Sequence, residues 1–203
     1  GFATLALATG FEVLLGGRKL AAHWDPVWHM AYKTVEYLAA ALLIGTLEEF
    51  FFRGFVLSKL RGRLPLAWSL VVANGFYAAL HFFRGGNYPV PENPGFGDSL
   101  RVMLHLGDAF LDPARLWPAF LGLFLFGWVL SYAFLATRSL FLSIGIHAGC
   151  VFFLKIDGWF VESIPNSSAV VFGDKNLYSG LIGWIFLVFL LLTLRGMYGR
   201  SRA

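Results

Sequence analysis

Two adjacent carboxylates and an arginine, Glu48, Glu49 and Arg53, stand in a run from Leu42 to Val56 that is otherwise apolar or small. In lipid each such charge costs roughly 2.5–3.5 kcal/mol at mid-bilayer on insertion scales, so three together point to a site. Two further apolar runs each carry one histidine, His81 and His147, and the first also carries Asn74 and Tyr77. Glu49 and Arg53 are four apart and share a helix face, so they can pair. Glu48 is turned about 100° away from Glu49. This divides the two carboxylates into one structural, Glu49, and one free to face a cavity, Glu48. Tyr77 and His81 also share a face, and Asn74 lies about two turns before His81 on it.

A carboxylate and two histidines suit two kinds of chemistry. Burial raises the pKa of a carboxylate and a nearby cation lowers it. A glutamate tuned in this way can act as general base toward water, with a histidine sharing the proton or steadying an oxyanion. The same set, Glu48, His81 and His147, also matches the ligands of a catalytic zinc with an open water position. The His-Glu-x-x-His signature of zinc proteases is absent. At this level both readings stand.

These residues must be positioned by membrane helices. Of 203 residues, 58% are hydrophobic and 14% charged, and the mean hydropathy is +0.67. Several apolar runs approach the roughly 20 residues that cross a bilayer. The expected fold is therefore all-α, a polytopic transmembrane bundle of about six spans in a single domain over residues 1–203. The alternating short segments of a β-barrel are not seen. The spans are Phe2 to about Gly16, Met30 to Leu57, Pro65 to about Phe83, Trp117 to about Ala136, Leu140 to about Ile156, and Leu177 to Leu194. The first is short, carries Glu12, and reads as a membrane helix, not a signal peptide. Between spans three and four lies a long connection, Arg84 to about Leu116. Gly85-Gly86-Asn87 and the three prolines from Pro89 to Gly97 mark it as loop, and Ser99 to Phe110 reads as a short interfacial helix. Trp24 and Trp28 read as interfacial anchors.

Alternating the spans sends Lys59, Arg61, Arg63, Arg138, Arg195, Arg200 and Arg202 to one side, with no acidic residue. The other side receives Glu92, Asp98, Asp108, Asp112, Asp157, Glu162 and Asp174 among mixed charges. The basic side, and with it the C-terminus, is expected in the cytoplasm. In such a chain a net charge of +4 reflects loops of this kind rather than nucleic-acid binding. One cysteine, Cys150, excludes an intrachain disulfide.

Glu48-Glu49-Phe50-Phe51-Phe52-Arg53 resembles the Glu-Glu-x-x-x-Arg motif of the CPBP family, the CAAX prenyl endopeptidases and bacteriocin-processing proteins also called Abi proteins. Tyr77-Ala78-Ala79-Leu80-His81 resembles its Phe-x-x-x-His motif, with tyrosine for phenylalanine. Ser143-Ile144-Gly145-Ile146-His147-Ala148 resembles its histidine-bearing span. The likeness covers about residues 40–155 in order and spacing. It implies a membrane-embedded endopeptidase in which Glu48 activates water with the help of His81, His147 stabilises the oxyanion, and Glu49 and Arg53 orient the site. It also implies a glutamate mechanism without cofactor, with zinc as the alternative.

One position departs from the pattern. The family's last motif is His-x-x-x-Asn or Asp, and here the fourth residue after His147 is Val151. Cys150, a poor donor, and Asn74 are the candidates to supply the missing hydrogen bond. A non-catalytic scaffold or immunity protein that keeps the fold is the rival from another class. The expected partners are the bilayer and a membrane-associated protein or peptide substrate, cleaved near a lipidated C-terminus, a C-terminal sorting signal or a leader. The expected setting is the cell membrane if the source is prokaryotic; the sequence sets no oligomeric state. One geometric condition must be met. Counted from the ends of their spans, Glu48 lies about 16 Å deep, His147 about 13 Å and His81 about 25 Å.

Overall fold

The computed structural model describes residues 1–22, 25–83, 91–165, 167–173 and 177–199. Trp24, the Gly85-Gly86-Asn87 and Pro89 loop signals, Asp174, Arg200 and Arg202 lie outside the described residues.

The chain is an all-α bundle. Helix α1 is Phe2–Leu14, α2 is Val27–Glu49, and a π-helical stretch, Phe50–Leu57, continues α2 without a break into the short α3, Ser58–Arg61. Helices α4 (Leu66–Leu80), α5 (Phe96–Leu104), α6 (Pro113–Thr137) and α7 (Leu140–Ile156) follow, then the short α8 (Ala169–Phe172) and α9 (Leu181–Tyr198). Helix α6 is central and packs against α4, α7 and α9, while α2 lies along α7. The ends of these helices follow from local chemistry. The Asp112 side chain accepts from the Arg115 amide at the start of α6, where Pro113 lacks the N–H that would go unused. Ser139 accepts from the Phe141 amide to begin α7. Between them Arg138 turns the chain with φ 54°, a left-handed conformation that favours glycine.

Three helices are long and apolar enough to cross a membrane: Pro113–Thr137, Leu140–Trp159 and Leu181–Tyr198. Phe2–Leu14 and Leu66–Leu80 are apolar but shorter. By length and apolarity three of the six expected spans qualify among the described residues; the charges of α2 and the short lengths of α1 and α4 fall outside that measure. The boundaries of α6 and α7 lie close to the expected spans. The connection before Met30 is shorter than expected, since α2 already begins at Val27, after Pro26. The interfacial helix starts earlier and ends sooner, at Phe96–Leu104, with a separate 3-10 turn at Asp108–Leu111. Gly95 and Asp98 exchange hydrogen bonds at its start and fix that boundary.

Two features were not foreseen. A pair of three-residue antiparallel strands, β1 (Arg18–Leu20) and β2 (Val161–Ser163), aligns Arg18 with Ser163 and Leu20 with Val161. Beneath it Arg18 bridges Glu12 (Nε to Oε2, 2.7 Å) and Asp157 (Nη1 to Oδ2, 3.0 Å), all three largely out of solvent. The strand pair brings the connection after α1 and the loop after α7 to one end of the bundle. Arg61, Arg138 and Tyr198 gather around one cavity at another place, where α3, α6 and α9 end.

Candidate active site

The site is built where α2, α4, α6 and α7 meet. Gly45 lets α2 approach α7: a Cβ on it would stand 3.1 Å from the Ala148 amide nitrogen and 3.3 Å from the Ala148 Cβ. Small residues at such a crossing allow close backbone approach. One helical turn on, Glu49 Oε1 accepts from His147 Nδ1 at 2.9 Å and from Arg53 at 2.9 Å. The second guanidinium arm of Arg53 donates to the Gly127 carbonyl at 3.0 Å. Gly127 is equally constrained, since a Cβ there would meet Asn74 Oδ1 at 2.9 Å and Tyr77 Cδ1 at 3.1 Å. The Arg53 guanidinium also lies 4.7 Å from the centre of the Tyr77 ring, a cation–π contact. Glu49, Arg53 and Tyr77 are at most 1% exposed. Arg53 is held on α2, α6 and the Tyr77 face, while Glu49 Oε2 is buried without a hydrogen-bond partner among the described residues.

Glu48 differs. It is 30% exposed, and its Oε2 is buried without a hydrogen-bond partner among the described residues. His147 Nε2 lies 3.8 Å from this oxygen and His81 Nε2 lies 3.9 Å from it. Both separations are too long for direct hydrogen bonds. Both rings are held from behind. His147 Nδ1 donates to Glu49, and His81 Nδ1 donates to the Tyr77 carbonyl at 2.8 Å. Each ring then turns its Nε2 toward Glu48. Tyr77 stacks edge-on against His81 at 4.6 Å, and Phe126 against His147 at 5.3 Å.

The depth condition is met by the atoms themselves, since Nε2 of His81 and of His147 lie 3.9 Å and 3.8 Å from Glu48 Oε2. The π-helical stretch Phe50–Leu57 begins directly after Glu49. Such segments are rare and frequent at functional sites, and no residue type in a phenylalanine-rich run announces one.

A cavity of about 170 Å³ adjoins the histidines. His81, His147, Tyr77, Cys150 and Val151 line it together with apolar residues of α1, α6 and α9. Of the candidate donors, Cys150 is 4% exposed and lies at this wall. Asn74 does not line it. Its Oδ1 accepts from Ser131 at 2.9 Å, and its Nδ2 is buried without a partner. Among the described residues no three His, Cys, Asp or Glu side chains form a set that could hold a metal ion. Glu48, His81 and His147 are the residues that would face a zinc ion at this place, and no step below passes through one.

In this helix bundle a carboxylate faces two oriented histidines beside an apolar cavity. Residues 30–153 match the type II CAAX prenyl endopeptidase Rce1-like family, and the chain belongs to it. This is a protease family of integral membrane proteins, and the match begins at residue 30, within the first turn of α2, where the expected core began at about residue 40. No curated protein and no solved structure matches the chain.

Proposed function

We propose that the protein is an intramembrane endopeptidase in which Glu48 is the general base, and that it cleaves a membrane-associated substrate near a lipidated C-terminus, a C-terminal sorting signal or a leader. The observation that carries this reading is the convergence of Glu48 Oε2 and the Nε2 atoms of His81 and His147 on one space. A water fits this space, held by Glu48 and His81, and one further proton placed on His147 Nε2 makes that ring the donor of the set.

The reaction then runs through this chain's own groups. Glu48 takes a proton from the water as the water oxygen bonds to the scissile carbonyl carbon, and His81 helps to orient that water. Charge develops on the carbonyl oxygen, and His147, protonated at Nε2, donates to it. Glu49 accepts from Nδ1 of the same ring and stabilises the imidazolium. The proton held by Glu48 passes to the leaving nitrogen as the C–N bond breaks. Arg53 holds Glu49 in place. In this reading the end bearing Arg61 and Arg138 faces the cytoplasm, by the positive-inside rule.

The test is Glu48→Gln in membranes containing a candidate substrate, scored for cleavage, with folding checked by thermal melting in detergent. Loss of cleavage in a folded variant supports the glutamate. Normal cleavage sinks it, and full biological activity of Glu48→Ala would point to a scaffold. Metal analysis of the purified protein, with a chelator assay, separates this mechanism from a zinc peptidase.

A further inference from the structure

A second cavity, about 470 Å³, lies away from the catalytic histidines, between the start of α4 and the ends of α6 and α9. Arg61 and Arg138 stand at it with Tyr132 and Tyr198, and Leu66 and Leu70 form part of its wall. Both arginines are exposed, and neither guanidinium has a partner among the described residues. Among the described residues no carboxylate lines the cavity. A side chain on Gly199 would come within 3.8 Å of the Tyr132 hydroxyl, so this phenol reaches the end of α9. Two unpaired cations, two hydroxyls and an aliphatic wall form an amphiphilic receptacle at the ends of membrane helices.

Arg138 adds an independent observation. It occupies the left-handed region at φ 54°, where glycine is the unstrained choice. A long cationic side chain held there is explained by what it reaches, not by the turn. The volume is in the range of small-molecule sites, and basic pockets between membrane helices are suited to anionic headgroups.

We infer that this cavity binds the phosphate headgroup of an anionic phospholipid, with Arg61 and Arg138 on the phosphate and Leu66 and Leu70 against the start of the acyl chains. The proposal does not depend on the catalytic reading. It is tested on the purified full chain in neutral detergent by following the melting temperature with added phosphatidylglycerol, phosphatidylcholine or inorganic phosphate. Phosphatidylglycerol should raise the melting temperature while equal concentrations of the other two leave it unchanged. Arg138→Gly relieves the backbone, so without lipid it should melt no lower than the parent. It should need about fivefold more phosphatidylglycerol for the same shift, and so should Arg61→Gln, from the roughly 1 kcal/mol that each basic residue contributes at an anionic surface. Equal responses in the parent and both variants, or an equal response to phosphatidylcholine, overturn the proposal. Inorganic phosphate reproducing the whole shift would assign the cavity to a free anion and overturn the lipid.

Discussion

Arg53 and Arg18 are both buried arginines that hold carboxylates, and the two clusters end differently. Arg53 joins Glu49 to the Gly127 carbonyl, and Glu49 passes the connection on to His147. That chain stops at an Nε2 facing the unpartnered Oε2 of Glu48 and a cavity lined by both histidines. Arg18 instead sits between Glu12 and Asp157 and ties α1 to the end of α7 under the β1–β2 pair. It too leaves polar atoms without hydrogen-bond partners, on Glu12 and on Arg18 itself. Yet none of its three residues lines the cavity of the histidines. Buried charge alone therefore does not distinguish a site from a fastening. The distinction lies in whether the charge network continues to a reactive atom beside a space that a substrate can enter.

The largest expected effect falls on the open end of the first network. Glu48→Gln should lower cleavage by about 10³-fold, within the usual contribution of a general base. Because Glu48 is partly exposed and makes no hydrogen bond through Oε2, the melting temperature should move little. Cleavage assays paired with melting curves check this, and a retained rate would place Glu48 with the fastenings. His147→Ala and His81→Ala should each cost about 10²-fold. His147→Ala should also destabilise the fold, because it leaves Glu49 with one partner fewer, whereas His81 is less buried and is held by a backbone carbonyl.

The two arginines make the contrast direct. Breaking a buried ion pair by removing one partner costs about 3–5 kcal/mol. Arg53→Ala and Arg18→Ala should both approach that loss in unfolding experiments in detergent. Only Arg53→Ala should also remove cleavage under conditions where each variant remains folded. Equal loss of cleavage in a folded Arg18→Ala would mean that its cluster also positions the catalytic groups.

Much of the first network could be found from residue types, because glutamate, arginine and histidine are conspicuous in apolar helices. The helix ends at Thr137 and Leu140 were also legible, from Arg138-Ser139 between two apolar runs. The second network was not. Arg18 and Asp157 are 139 positions apart in polar connections, where charged residues usually face water, and β1 and β2 are too short to show an alternating pattern. The π-helical stretch after Glu49 was invisible for another reason: its phenylalanines are as acceptable in an α-helix, and only the packed backbone reveals the changed hydrogen-bond step. Nor does the sequence signal the left-handed turn at Arg138, where glycine or asparagine would have done so.

The smallest expected effect concerns Val151, at the cavity wall one helical turn beyond His147. The family pattern has Asn or Asp there, and valine offers no hydrogen bond. In the proposed reaction His147 must stabilise the developing oxyanion without a donor from that position. Removing one oxyanion donor from a site that is built around it costs about 10²–10³-fold. Restoring one to a site that has adapted to its loss should return far less, because the new amide is not preorganised. Val151→Asn should therefore raise the rate constant for cleavage only several-fold, with KM unchanged, since the added interaction forms as charge develops and not on binding. Buried polarity also has a cost, so the variant should melt slightly lower. An unchanged rate constant would mean that the oxyanion is already fully satisfied, and Cys150→Ala and Asn74→Leu, measured for the same split between the rate constant and KM, would then identify which neighbour supplies the donor.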